Sequence, residues 1–329
     1  MSSYQVTLSP TKTHFDVRED ETILEAALRS GIPLPYQCAQ GECGTCRAKI
    51  LNGDWDLLEG LPAARYLNDG ETLLCSSKPK SDLEIEYEPI VESSFHVNCQ
   101  VSSVQTVTDE ILIVRLAPQS NDFNFEAGQY LNLLVGEAKI PLSIASGPEN
   151  ERLIELHIGI SPGNAASDSM VATLQLNASV DIELAFGQAT LTRSTERPML
   201  LIAGGTGFAP MKSIIESSLS VQRDRDIHLF WGARSPELLY TETLVKRWDK
   251  YVPTFSYTPV ISEPATGWNG ATGFVHEEAI RQYPDLSEFD VFLSGSFDMV
   301  AAVAPKLLAA NLPRAQLFSD ILDIIEGKS

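Results

Sequence analysis

Cys38-Ala39-Gln40-Gly41-Glu42-Cys43-Gly44-Thr45-Cys46 sets three thiols in the order C-x4-C-x2-C, and Cys75 follows after 28 intervening residues. This is the spacing of a plant-type [2Fe-2S] site, in which four cysteine thiolates hold two irons. A structural zinc site sets its ligands in two close pairs, each two to four residues apart, and Cys75 has no such neighbour. Gly41 and Gly44 suit a loop that wraps a compact anionic group, because a residue without Cβ turns freely and lets N–H groups face the sulfurs. Cys38, Cys43, Cys46 and Cys75 are therefore the expected metal ligands. Cys99, the fifth cysteine, sits in an apolar alternating segment and reads as core, and five thiols so distributed are not a disulfide framework.

Around the loop, the first segment reads as a hairpin. Residues 4–8 alternate, Ser9-Pro10-Thr11-Lys12 turns the chain, and Phe15 and Val17 resume the pattern. A helix is expected over 22–29, with Asp20 as candidate N-cap and Gly31 then Pro33 as its stop. Strands at 47–51 and 83–87 complete a β-grasp unit over residues 1–90. Short strands at 97–104, 111–116 and 154–160 recur between turns, the pattern of a small antiparallel β-barrel over 95–194. From Glu196-Arg197-Pro198 onward strands alternate with helices, which predicts a Rossmann-like α/β unit over 195–329.

That last unit opens with a buried strand, Pro198-Met199-Leu200-Leu201-Ile202-Ala203, then Gly204-Gly205-Thr206-Gly207, then a helix over 211–219. Glycines let backbone approach a pyrophosphate, and a helix N-terminus offers it unpaired N–H groups and a favourable dipole. The strand-loop-helix setting, more than the glycines, marks a dinucleotide site.

Composition bounds the partners. The chain has 329 residues, 43% of them hydrophobic and 21% charged, with a formal net charge of -20. An acidic surface repels nucleic acid and anionic membrane alike. The first residues lack a basic segment followed by an apolar one, and no run approaches the roughly 18 apolar residues of a spanning helix. A cytoplasmic monomer is the expectation.

The stretch Tyr36-Gln37-Cys38-Ala39-Gln40-Gly41-Glu42-Cys43-Gly44-Thr45-Cys46 closely resembles the ferredoxin domains fused to bacterial oxygenase reductases. From Cys99 to the C-terminus the chain is similar to the ferredoxin-NADP reductase superfamily, especially to bacterial NAD(P)H-flavin reductases. Three segments carry this second resemblance. The first is Ala127-Gly128-Gln129-Tyr130-Leu131 leading to Ile140-Pro141-Leu142-Ser143-Ile144-Ala145-Ser146. The second is Leu156-His157-Ile158-Gly159 with the turn Gly163-Asn164-Ala165-Ala166-Ser167. The third is Asp290-Val291-Phe292-Leu293-Ser294-Gly295-Ser296-Phe297-Asp298-Met299.

The resemblance implies a flavin, FAD or else FMN, against Pro141, Leu142, Ser143, Ile144, Ala145, His157, Ile158, Gly163 and Ser167, with Ser143 near flavin N5 as the catalytic contact. It implies a dinucleotide against Gly204, Gly205, Thr206, Gly207, Trp231, Gly232, Arg234, Ser294, Gly295 and Met299. The Ala-Arg-Ser-Pro-Glu pattern beginning at Ala233 is more similar to members using NADH than to those using NADPH. The chain departs from the family where Ile140 and Leu142 replace an arginine and an aromatic residue, and where Ser294 replaces a cysteine. Lys139 is the candidate substitute for the missing phosphate-binding arginine, as a point charge.

By the same resemblance the chain is an electron-transfer reductase: NADH reduces flavin, and the cluster sends single electrons to an oxygenase component or an intermediary ferredoxin. Two other enzymes remain open, a flavin reductase with exchangeable flavin and a reductase serving a deoxysugar-forming dehydratase. A degenerate module that senses NADH or cluster status is the non-enzyme reading.

Overall fold

The computed structural model describes residues 3–30, 32, 34, 41, 46–61, 63–87, 95–120, 123–136, 138–150, 153–161, 164–191, 197–220, 225–264 and 266–326. Of the expected site residues, Cys38, Cys43 and Gly163 lie outside the described residues, as does Gly44.

Alternation in the first segment builds a sheet with one buried face. Strand β1 (Ser3–Pro10) pairs antiparallel with β2 (Thr13–Arg18), and helix α1 (Ile23–Arg29) follows. Then come β3 (Arg47–Asn52), β4 (Trp55–Leu57), β5 (Glu71–Leu73), β6 (Ser77–Pro79) and β7 (Leu83–Tyr87). The order β2-β1-β7-β3-β5, with β1 and β7 parallel, is the expected β-grasp arrangement. Val6, Leu8, Phe15 and Val17 bury against Ile23, Leu24, Ala26 and Ala27 of α1. The cap is Thr22 and not Asp20. Glu25 N–H donates to Thr22 Oγ1 at 3.2 Å and Thr22 N–H donates to Glu25 Oε2 at 2.8 Å, a reciprocal pair that satisfies two orphan donors and leaves Asp20 in the preceding turn.

The second unit comprises β8 (Phe95–Thr108), β9 (Ile111–Pro118), β10 (Tyr130–Val135), β11 (Ala138–Ser143), β12 (Ile154–Gly159), helix α2 (Ala165–Thr173) and β13 (Ser179–Phe186). Its antiparallel order β11-β10-β13-β8-β9-β12 closes through a bridge between Ile144 and Leu156, so the two edges meet as a barrel. Cys99, on β8, is fully buried in its core with Leu131, Ile140, Leu142 and Leu156.

The third unit runs β14 (Met199–Gly204), α3 (Phe208–Ser220), β15 (Ile227–Ala233), α4 (Glu242–Tyr251), β16 (Phe255–Ile261), β17 (Ala271–Thr272), α5 (Val275–Gln282), β18 (Asp290–Ser294), α6 (Phe297–Ala309), β19 (Leu317–Phe318) and α7 (Asp320–Ile325). All pairs in the sheet β17-β16-β15-β14-β18-β19 are parallel. Chain direction across the sheet reverses at β14, between β15 and β18, and the crevice beyond the carboxyl ends of those strands is where such sheets bind ligands. Among the described residues no helix is long and apolar enough to cross a membrane.

Candidate functional site

Cys46 enters β3, and Cys75 sits on a short turn between β5 and β6. Leu74 N–H donates to Cys46 O at 3.0 Å, which draws the two thiols together with 3.2 Å between their sulfurs. Both are buried. That separation is far longer than the roughly 2.05 Å of a disulfide and suits two thiolates sharing one metal. Gly41 takes φ +75°, a left-handed conformation that favours glycine, and an added Cβ would also have to displace the tip of Leu61, 2.7 Å away. These residues fit a cluster held by thiolates.

The second part of the site is a cavity of about 1080 Å³ between barrel and α/β unit. Of the expected residues, Pro141, Leu142, Ser143, His157, Ile158 and Ser167 line its barrel side. Gly204, Gly205, Thr206, Gly207, Gly232, Arg234, Ser294, Gly295 and Met299 line the other. Ile144, Ala145 and Trp231 do not line it. Each is fully buried behind the wall: Ile144 is turned into the barrel by its bridge to Leu156, and Trp231 supports the glycine loop from below, donating Nε1–H to Gly205 O at 3.0 Å and stacking on Phe208. Lys139 does not line the cavity either, because Glu183 of β13 holds its ammonium at 2.8 Å. Ser167 Oγ accepts from Ser161 N–H, while Asn164 Oδ1 accepts from Ser167 N–H, so this turn is pinned by its own side chains. Arg234 is paired with Glu110 of the barrel at 2.6 Å.

The glycine loop is packed to its limit at one point. A Cβ on Gly207 would fall 2.4 Å from Ser294 O and 2.7 Å from Gly295 N, both backbone atoms of the neighbouring strand end. Gly207→Ala is expected to force the two strand ends apart at a cost of about 1–3 kcal/mol. Its NADH dissociation constant, read by fluorescence quenching, should rise about tenfold, since 1.4 kcal/mol is one decade. Unchanged affinity would show that this contact does not shape the dinucleotide site.

Helix α3 carries the loop and is bolted to the barrel segment that follows Ser143. Lys212 Nζ donates to Ala145 O at 3.2 Å, Ser213 Oγ to Ser146 O at 2.8 Å, and Ser217 Oγ to Glu149 Oε1 at 2.6 Å. Beneath the cavity wall, Lys212 also pairs with Glu155 at 3.2 Å and Glu216 at 2.7 Å, and Arg115 reaches Glu155 at 2.7 Å. Burial alone would raise the Glu155 carboxyl, but the His157 hydrogen bond and the charges of Lys212 and Arg115 outweigh it and hold the group well below the usual carboxylate range. Burial pushes His157 down more than Glu155 raises it, so its ring is neutral. A carboxylate only accepts, so His157 Nε2–H donates to Glu155 at 3.0 Å and Nδ1 accepts from Tyr240 OH at 2.9 Å. The phenol stays protonated because burial, with Glu155 second, pushes it up. His157 thus links barrel and α/β unit in one tautomer.

Several cavity residues carry no functional signal in the sequence. Tyr130 stands inside the segment 127–131 with nothing local to mark it as a wall residue. His276 and Lys306, 2.8 Å apart, come from α5 and α6 and carry no local signal. Ser319, Asp320, Ile321 and Ile324, from the C-terminal strand and helix, also face it.

Comparison with known proteins matches residues 6–80 to the 2Fe-2S iron-sulfur cluster binding domain and residues 201–305 to the oxidoreductase NAD-binding domain. The CDP-6-deoxy-L-threo-D-glycero-4-hexulose-3-dehydrase reductase of Yersinia pseudotuberculosis serotype I (strain IP32953) is 33% identical over 325 residues, 97% of this chain and 98% of that protein. The phenol hydroxylase P5 protein of Acinetobacter pittii (strain PHEA-2) is 35% identical over 294 residues, 85% of this chain and 83% of that protein. Among solved structures, the ferredoxin reductase in carbazole 1,9a-dioxygenase superposes with a TM-score of 0.65 at 24% identity, covering 97% of this chain and 98% of that one, which is a likeness of fold.

Proposed function

We propose, because the chain belongs to the family of reductases that join a 2Fe-2S ferredoxin domain to a flavin- and NAD-binding oxidoreductase module, that it takes electron pairs from NADH and passes single electrons to a partner oxygenase or an intermediary ferredoxin. The division we assign is a ferredoxin domain over 1–90, a flavin barrel over 95–194 and a nucleotide domain over 195–329. The observation that carries the reading is one continuous cavity walled by Ser143 on the barrel and by Gly204, Gly207 and Ser294 on the parallel sheet. Each NADH oxidised to NAD+ gives two electrons, which leave singly, and one proton, which goes to solvent.

When bound, the flavin accepts hydride and the cluster carries one electron at a time, steps no side chain can perform. The chain's own residues bind and orient. Cys38, Cys43, Cys46 and Cys75 would hold the cluster. Gly204, Gly205, Thr206 and Gly207, at the head of α3, would hold the pyrophosphate. Ser143 would contact the flavin from the barrel side and Ser294 the dinucleotide from the sheet side of the cavity. Glu110 occupies Arg234, so a 2'-phosphate would have to compete for it, which favours NADH.

The test is reconstitution of purified protein with flavin, NADH and candidate oxygenase components. Coupled substrate turnover supports the reading, and NADH consumption that couples to none of them contradicts it. A deoxysugar dehydrase is the second acceptor to try, because the Yersinia protein of that name aligns over nearly the whole chain.

A second feature concerns the flavin itself. Ile140 and Leu142 meet the cavity only as apolar side chains rooted in the barrel core and Lys139 is held by Glu183, so the described barrel wall of the cavity offers neither lysine nor arginine to a flavin phosphate. Flavin is therefore expected to exchange, with a dissociation constant of roughly micromolar order, and desalting should strip its yellow colour. Protein that stays fully yellow after gel filtration would contradict this.

A further inference from the structure

Helix α7 touches all three units at once. Ile321, Ile324 and Ile325 pack against the ferredoxin core, beside Ala138 of β11 and Phe297 of α6. Leu322 packs into the nucleotide domain, and Arg314 grips Asp323 at 2.8 Å and Glu326 at 2.7 Å. At the helix's first residue, Asp320 Oδ1 accepts from Gln188 N–H at 2.8 Å and Ala189 N–H at 3.0 Å, both in the loop after β13. That loop is fitted to the carboxylate: a Cβ on Gly187 would lie 2.6 Å from Asp320 Oδ2. At the other end, Arg47 Nη1–H donates to Ile325 O at 3.1 Å. This carbonyl is among those a helix leaves unpaired at its C-terminus, where a cation is also favoured by the dipole.

Arg47 directly follows Cys46, one of the expected cluster ligands, while Asp320, Ile321 and Ile324 line the cavity. Six helical residues span about 9 Å. One short helix is thus all that separates the cavity wall from the residue next to the cluster loop.

We infer that α7 is the clasp that positions the ferredoxin domain for electron exit, with Arg47 and Ile325 as positioning residues that hold the start of β3, next to Cys46, to the helix that lines the cavity. The inference rests on the reading of the chain as an electron-transfer reductase. Its chemistry is unchanged by the clasp. What the clasp sets is the separation and orientation between the group that loses the electron and the group that gains it, on which such a step depends steeply.

The test uses the full-length holoprotein with flavin in excess and two variants, Arg47→Gln and Ile325→Asp. Neither residue lines the cavity, so flavin reduction by NADH in stopped flow should stay within about twofold of wild type. Cluster reduction, followed at its own wavelength, should slow about tenfold or more, the scale of a misplaced reacting group. Amide hydrogen exchange should show loss of protection across α7, and Arg47→Lys, which keeps a donor, should restore part of both. Ile325→Asp lies far in sequence from every cysteine, so it remains decisive if Arg47→Gln disturbs the cluster. Wild-type cluster reduction in both variants, or unchanged α7 protection, overturns the clasp. A wild-type protein whose cluster takes no electrons from NADH would overturn the underlying reading instead, while exchange would still report whether α7 holds the ferredoxin domain.

Discussion

Cys75→Ser is expected to lower NADH-dependent cytochrome c reduction by about 100-fold or more, as removal of one member of a group acting as a unit does. NADH oxidation by ferricyanide, which can draw electrons directly from flavin, should persist. The physical basis is the thiol pair: Cys75 lies 3.2 Å from Cys46, and both are buried. Serine presents a hard oxygen where iron-sulfur sites select soft thiolate, and the one described cysteine outside this pair, Cys99, is held in the barrel core. The visible absorption of the cluster should disappear with the rate. Cys99→Ser is the control and should leave that absorption intact. Burial, with Asp181 second, pushes the Cys99 thiol up to about 12, and a protonated thiol in a barrel core is not a ligand. Equal cytochrome c rates for wild type and Cys75→Ser would remove the cluster from the route.

The second large effect is on stability. Lys212→Met removes the cation between Glu155 and Glu216 and should cost about 3 kcal/mol, the lower end of what breaking a buried pair costs, because Arg115 and His157 still serve Glu155. Urea unfolding followed by tryptophan fluorescence measures it. The penalty has a definite pH dependence. The folded Glu155 carboxyl titrates below its ordinary value near 4.5, so its ionic contacts stabilise fully above that pH and are lost as pH falls toward the depressed value. The gap between wild type and variant should therefore be widest near pH 7 and narrow below about 4.5. Substitution at the exposed Lys80–Asp56 pair should change little at either pH. A penalty for Lys212→Met that is independent of pH would show that packing, and not the ion network, joins barrel to nucleotide domain.

Much of the architecture could be read from local pattern. The cysteine spacing and the two hairpins around α1 gave a β-grasp unit, because alternation and cysteine order are properties of short segments. Finer points followed competition between equivalent signals. Thr22 took the cap from Asp20 because only Thr22 has a glutamate three residues on that can return the hydrogen bond. Strand β8 runs on to Thr108, beyond the expected 104, because β9 offers it a partner along that length. In the site, some residues next to a motif lie behind the cavity wall. Ile144, Ala145 and Trp231 adjoin cavity residues in sequence but turn inward, which only the closing bridge and the Trp231–Gly205 hydrogen bond reveal. Lys139 was offered to a phosphate on charge alone, and Glu183, 44 residues away, claims it. Contacts such as Lys306 with His276 and Asp320 with the loop after β13 join distant segments, so no window of sequence contains both partners.

The most direct test of electron exit through the cluster is an anaerobic titration of flavin-supplemented protein with NADH, followed by electron paramagnetic resonance. The signal of a reduced [2Fe-2S] centre is expected to grow with added NADH in the wild type and to be absent in Cys75→Ser. A flavin that bleaches fully while no cluster signal appears in the wild type would contradict it.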